Sequence, residues 1–215
     1  MNSEPTIFLV DDEPSVLKAI SRLLRSVGLN VETFGSPQQF LERPEPAAAG
    51  CLVLDVAMPG LNGLDLQRAL ASRGFELPII FLTGRGDVPM SVQAMKQGAV
   101  DFLIKPVNDK ELLAAIRAGI DKDKANREAR TERLETQQRL ATLTPREREV
   151  LRHILAGRLN KQVAADLGIV EKTIKVHRAR VMKKMKVQSL AELVRLAEHA
   201  GIKPARDAKL AASVD

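Results

Sequence analysis

Short, nearly unbroken apolar runs alternate with amphipathic stretches over the first 120 residues. The runs are IFLV at 7–10, a weaker VETF at 31–34, CLVL at 51–54, IIFL at 79–82 and FLI at 102–104. Continuous rather than alternating apolar character is what parallel strands show when both their faces are covered. Between the first two runs, Val16, Ile20, Leu23, Leu24 and Val27 fall at helical spacing, with Pro14 near the start and Gly28 past the end. Stretches 36–43, 64–73 and 87–98 read as further helices, and 109–120 as a fifth. Strand and helix in regular alternation predict a doubly wound, five-stranded parallel sheet.

The helical pattern starting at Asp109 has no reason to stop at Gly119. KDKANREARTERLETQQRL is rich in Ala, Arg, Glu, Lys and Gln and lacks proline. Its apolar content is thin, with Leu134 and Leu140 standing out, so a long linker helix running through solvent is expected. A coiled-coil dimer seam is the alternative, although the heptad pattern is broken. Structure restarts at LTPRE: Thr144 suits an N-cap, Pro145 the first helical position, and Glu147 completes a capping box. Four short helices follow, at 145–156 closed by Gly157, 160–167 closed by Gly168, about 171–186, and 189–199 capped by Ser189. The tail from Lys203, KPARDAKLAASVD, has no pattern and is expected to be mobile. The fold class is therefore α/β plus all-α, with a sheet domain over 1–122, a helical linker over 123–143, a helical domain over 144–200 and a tail over 201–215.

Composition narrows the setting. With 45% apolar and 28% charged residues the chain is of ordinary globular type. No stretch reaches the ~18 unbroken apolar residues of a membrane span, and the first apolar run, short and without a basic lead, is not a signal peptide. Cys51, the sole cysteine, opens a strand pattern and suits plain packing. A cytoplasmic protein with no membrane partner is expected. Charge is unevenly spread: residues 1–120 carry 14 acidic against 11 basic side chains, residues 121–143 carry 5 against 6, and residues 144–215 carry 8 against 16. The split suggests a polyanion partner for the last third alone, the alternative being a merely soluble basic domain.

Five polar residues of the first domain share one position. Asp11 and Asp12 follow the first strand, Asp55 ends the third, Thr83 the fourth and Lys105 the fifth, so all lie at the carboxyl ends of strands, where open α/β sheets bind ligands. Three crowded carboxylates repel one another, and a divalent cation relieves the conflict. All-oxygen donors without His or Cys select a hard ion such as Mg²⁺. Asp55 can then act as a carboxylate nucleophile toward a phosphoryl group, with the metal, Lys105 and the Thr83 hydroxyl neutralising its oxygens.

NKQVAADLGIVEKTIKVHRARVMKKM has the helix, Gly-containing turn and helix of a DNA-binding helix-turn-helix. In its second helix Ile174, Val181 and Met185 share an inward face, while Lys172, Lys175, Val176, Ala179 and Lys183 form the opposite stripe. Thr173, His177 and Arg180 flank that stripe. Val176 and Ala179 within an exposed basic stripe suit thymine methyls better than solvent. Three scattered histidines and one cysteine give no metal cluster, and the lack of Trp and Tyr argues against stacking of single-stranded bases.

FLVDDE, LDVAMPGLNG, FLTG and DFLIKP resemble the signature blocks of bacterial response-regulator receiver domains over about residues 5–120. LTPREREVL, NKQVAADLG and EKTIKVHRARVMKKM resemble the LuxR/NarL/FixJ-type four-helix output domain. The resemblance implies that Asp55 is the phosphoacceptor, that Asp12, Asp11 through water, and the Ala57 backbone carbonyl join it around Mg²⁺, and that Thr83 and Lys105 hold the phosphoryl group. It also implies a cis Lys105–Pro106 bond and a switch role for Phe102, with the surface around 87–120 altered. In the output domain it assigns Lys175, Val176 and Ala179 to base edges, and Lys161, Thr173, His177 and Arg180 more to phosphates, with Lys172 in the same stripe. Implied partners are a sensor histidine kinase, double-stranded promoter DNA, RNA polymerase and, once phosphorylated, a second copy of the chain. An Asp-nucleophile phosphohydrolase is the enzyme rival, but it needs a second acid/base carboxylate where Ala57 stands. A receiver-like interaction protein that has lost phosphorylation is the other, against which the intact five-residue set speaks.

Overall fold

The computed structural model describes residues 4–43, 49–84 and 88–205. The start of the expected fourth helix at 87 and the tail beyond 205 lie outside the described residues. Strands β1 (Thr6–Val10), β2 (Asn30–Phe34), β3 (Gly50–Leu54), β4 (Ile79–Thr83) and β5 (Asp101–Ile104) alternate with helices α1 (Pro14–Ser26), α2 (Pro37–Leu41), α3 (Gly63–Ser72) and α4 (Val88–Lys96). All pairings are parallel, in the order β2-β1-β3-β4-β5.

Strand alternation divides the core in two. Phe8, Val10, Leu52, Leu54 and Phe81 face one layer with Leu66 and Leu70 of α3. Ile7, Leu9, Cys51, Val53, Ile80 and Leu82 face the other, with Leu24 of α1 and Leu112 and Ile116 of the following helix. Each fully buried Leu, Ile or Phe contributes about 1.5–3 kcal/mol, so the apolar strand runs are the main source of the sheet's stability. Helix α2 is shorter than the expected 36–43. Its Ser36 cap accepts from Gln39 N, and Pro44 close behind disfavours continuation.

Helix α5 (Asp109–Ala141) runs for 33 residues past Gly119 without a break. Contacts divide the chain within it, into units Met1–Glu128 and Ala129–Asp215. The expected run through solvent is corrected at several residues. Asp123 is buried and accepts from Gly50 N at 2.9 Å and Arg127 Nε at 2.8 Å. Thr136 is buried as well, and Leu140 packs on the core of the second unit, while Leu134 stays exposed. An apolar count overlooked these anchors because two of them are polar.

The second unit holds α6 (Pro145–Leu155), α7 (Asn160–Leu167), α8 (Glu171–Met185) and α9 (Leu190–His199) around Val150, Leu151, Ile154, Val163, Ile174, Val181, Met185 and Leu193. The capping box forms as expected: Glu147 N donates to Thr144 Oγ1 at 3.3 Å, and Thr144 N to Glu147 Oε2 at 2.9 Å. Gly168 ends α7 with φ +65°, a left-handed geometry that lets the chain turn into α8. The stretch after α9 is not wholly loose, since Ala205 N donates to Arg152 O at 3.0 Å. Among the described residues no helix is long and apolar enough to cross a membrane.

Candidate functional site

Parallel register brings the strand ends together. Val10 pairs with Leu54, Leu54 with Phe81, and Thr83 with Ile104, so the residues at and just past these ends share one rim. Asp55 N is held by Val10 O at 2.9 Å and Asp11 N by Phe34 O at 3.2 Å. Carboxylate oxygens of Asp11, Asp12 and Asp55 lie within 4.8 Å of one another. Asp11 and Asp55 are buried and Asp12 is exposed. Lys105 Nζ donates to Asp11 Oδ2 at 2.6 Å and stands 3.4 Å from Asp55 Oδ1. That second contact is an ion pair longer than an ordinary hydrogen bond, and the buried Oδ1 makes no hydrogen bond.

Burial pushes the Asp55 carboxyl above its ordinary value; Lys105 opposes the rise and the Asp11 charge adds to it. Burial works against the Lys105 ammonium, yet the two carboxylates outweigh it and hold its pKa above the usual value. The pocket is thus short of positive charge. Thr83 is fully buried at the end of β4. Ala57 is exposed in the loop after β3, and the Lys105–Pro106 bond is cis. Phe102 is half-buried on β5, its ring 6.0 Å from that of Phe81. Gly63 opens α3 against Asp55, and a Cβ there would meet Asp55 O at 2.4 Å, so only glycine admits this approach.

In the second unit α8 sorts its residues as its spacing predicts. Ile174, Val181 and Met185 are fully buried. Lys172, Lys175, Val176, Ala179, Arg180 and Lys183 are exposed, as is Lys161 on α7, while Thr173 and His177 are half-buried. Lys175 pairs with Glu171 at 3.3 Å across one turn, and His177 Nδ1 is buried without a hydrogen bond.

Comparison with known proteins agrees with this two-part architecture. The family model of the response regulator receiver domain matches residues 7–117, and that of bacterial regulatory proteins of the luxR family matches residues 141–197. Nodulation protein W of Bradyrhizobium diazoefficiens is 47% identical over 201 residues, covering 94% of this chain and 88% of the relative. This chain belongs to the response regulators. The transcriptional regulatory protein FixJ of Azorhizobium caulinodans is 45% identical over 202 residues, covering 94% and 96% of the two chains. The solved structure of the response regulator StyR superposes with a TM-score of 0.81 at 46% identity, covering 91% of this chain and 99% of that one. This response regulator is a phosphorylation-dependent transcriptional regulator of a two-component system.

Two structurally placed residues escaped the sequence pattern. Asp123 sat in a run of charges with nothing to mark it as buried. Gln67 is buried in α3, and its signal was present: it falls between Leu64 and Leu70 at three-residue spacing, a polar group on an apolar stripe.

Proposed function

We propose that Asp55 is the phosphoacceptor and that Asp11, Asp12, Asp55 and the Ala57 backbone carbonyl would hold Mg²⁺. The observation carrying this reading is the buried Asp55 Oδ1, without a hydrogen bond and facing Lys105 in a pocket whose acids outnumber its bases. An all-oxygen acidic set suits this ion, which when bound supplies charge neutralisation to the transferred phosphoryl oxygens. An Asp55 oxygen attacks phosphorus, the P–N bond of a sensor kinase's phosphohistidine breaks, and its electron pair stays on the imidazole. Lys105 releases Asp11 to bind the new phosphoryl oxygens, Thr83 moves toward them, and Phe102 turns inward.

The changed surface over 88–120 pairs two copies of the chain, which bind promoter DNA and engage RNA polymerase in the cytoplasm. Lys175, Val176 and Ala179 meet base edges. Lys161, Thr173, His177 and Arg180 hold phosphates and set the register, and Lys172 lies in the stripe with Lys175, Val176 and Ala179. The chain modifies itself rather than turning over a separate substrate, so it acts as a switch and not as an enzyme. Acetyl phosphate with Mg²⁺ adds one phosphoryl group to the wild type and none to Asp55→Asn, read by intact mass. Equal labelling of the two proteins would overturn the assignment.

A further inference from the structure

Helix α4 packs one face on its domain, through the buried Ala94 and the partly buried Met90, and Ala99 follows into the same core. On the opposite face Val88, Val92 and Met95 are 74%, 44% and 46% exposed. At its carboxyl end a side chain from another helix intervenes. Gln67 of α3 is buried, and its Nε2 donates to Ala94 O and to Gln97 O, both at 3.3 Å.

The orientation of this amide is fixed by its partners. Both are carbonyl oxygens, which only accept, so the nitrogen must face them. Its oxygen is then left buried without a hydrogen bond. An apolar residue between Leu64 and Leu70 would carry no such desolvation cost. The nitrogen's position accounts for the amide's presence. Its partial positive charge meets the negative carbonyl end of α4, where Ala94 O also accepts from Gln97 N and Ala99 N, each at 3.2 Å. The other end of the connection reaches the acidic pocket directly, since Gly63, the first residue of α3, abuts Asp55 O and donates its N–H to Val56 O at 3.0 Å.

We infer that Gln67 is a positioning residue of the switch, the pivot that ties the carboxyl end of α4 to α3 so that events at the pocket reach α4 through α3. This rests on the reading of Asp55 as phosphoacceptor. A helix tied to its neighbour by buried hydrogen bonds follows that neighbour's displacement, whereas one released from it does not. The experiment uses the full chain and Gln67→Met, which keeps volume and loses both donors, with Gln67→Glu as a second variant that sets a carboxylate against the same carbonyls.

Acetyl phosphate labels both variants to the wild-type extent. Hydrogen exchange at Gln97, Gly98 and Ala99 rises about tenfold or more, while β1 and β3 amides stay unchanged. The phosphorylation-induced gain in DNA affinity falls about tenfold. Unchanged exchange at these three amides, an equal rise in every element, or a fully retained gain would each overturn the pivot. Labelling of Asp55→Asn in the same series would instead sink the phosphoacceptor reading, so the two failures are distinguishable.

Discussion

Cys51 and Asp55 stand at opposite ends of one strand and show how far burial alone decides chemistry. Burial pushes the Cys51 thiol up to about 12, with the Asp123 charge adding to the rise. At pH 8 roughly one molecule in ten thousand then carries a thiolate, and Cys51 is fully buried besides. Iodoacetamide should leave Cys51 unmodified over hours in native buffer and modify it once denaturant unfolds the sheet. Alkylation at the rate of an exposed cysteine would contradict this. Asp55 is buried too, but Lys105 and an open rim beside the exposed Asp12 keep its oxygen usable. The sequence made both residues legible, because one opens and the other ends the same apolar run. It gave no sign of Asp123's burial, and for Gln67 it showed only a polar group on an apolar stripe, since the partners of both are backbone groups brought near by folding: Gly50 for one, Ala94 and Gln97 for the other.

Among the elements, α6 carries a charge whose effect depends on pH. Burial raises the Glu147 carboxyl, but the Lys184 ammonium at 2.6 Å and the Thr144 backbone and hydroxyl outweigh it, so its pKa lies below the ordinary carboxylate value. A carboxyl depressed on folding stabilises above its ordinary value, and that contribution is lost as pH falls through the lower folded value. Glu147→Gln should therefore cost about 1–3 kcal/mol at neutral pH, with the deficit shrinking under acid. Hydrogen exchange of α6 amides across that range checks it; a deficit that grew under acid would reverse the sign. The capping box behind this effect was plain from Thr144, Pro145 and Glu147. Its tie to Lys184 was not, because no local spacing joins residues 37 apart. The same reasoning explains α5: its length followed from propensity, but the burial of Asp123 and Thr136 came from tertiary packing that an apolar count cannot register.

For the molecule as a whole, function rests on two sites of opposite character. Lys175→Ala should weaken specific binding and relax base preference, whereas Arg180→Ala should weaken binding to all sequences and lower the salt slope by about one. Titrations against specific and scrambled duplexes at several salt concentrations separate the two. If Arg180→Ala altered preference alone, the division between base and phosphate contacts would be wrong. Residues 144–215 hold the 16 basic side chains, and residues 1–120 already carry an excess of acid. Phosphorylation of a carboxylate exchanges its one negative charge for about two, a net gain of about one in that acidic part. The incoming signal thus has the wrong electrical sign for its output, since negative charge repels a polyanion. Any tightening on DNA must come from something other than net charge, against a small electrostatic penalty that salt screens. The salt slope per bound chain should accordingly be the same before and after phosphorylation, even as affinity rises.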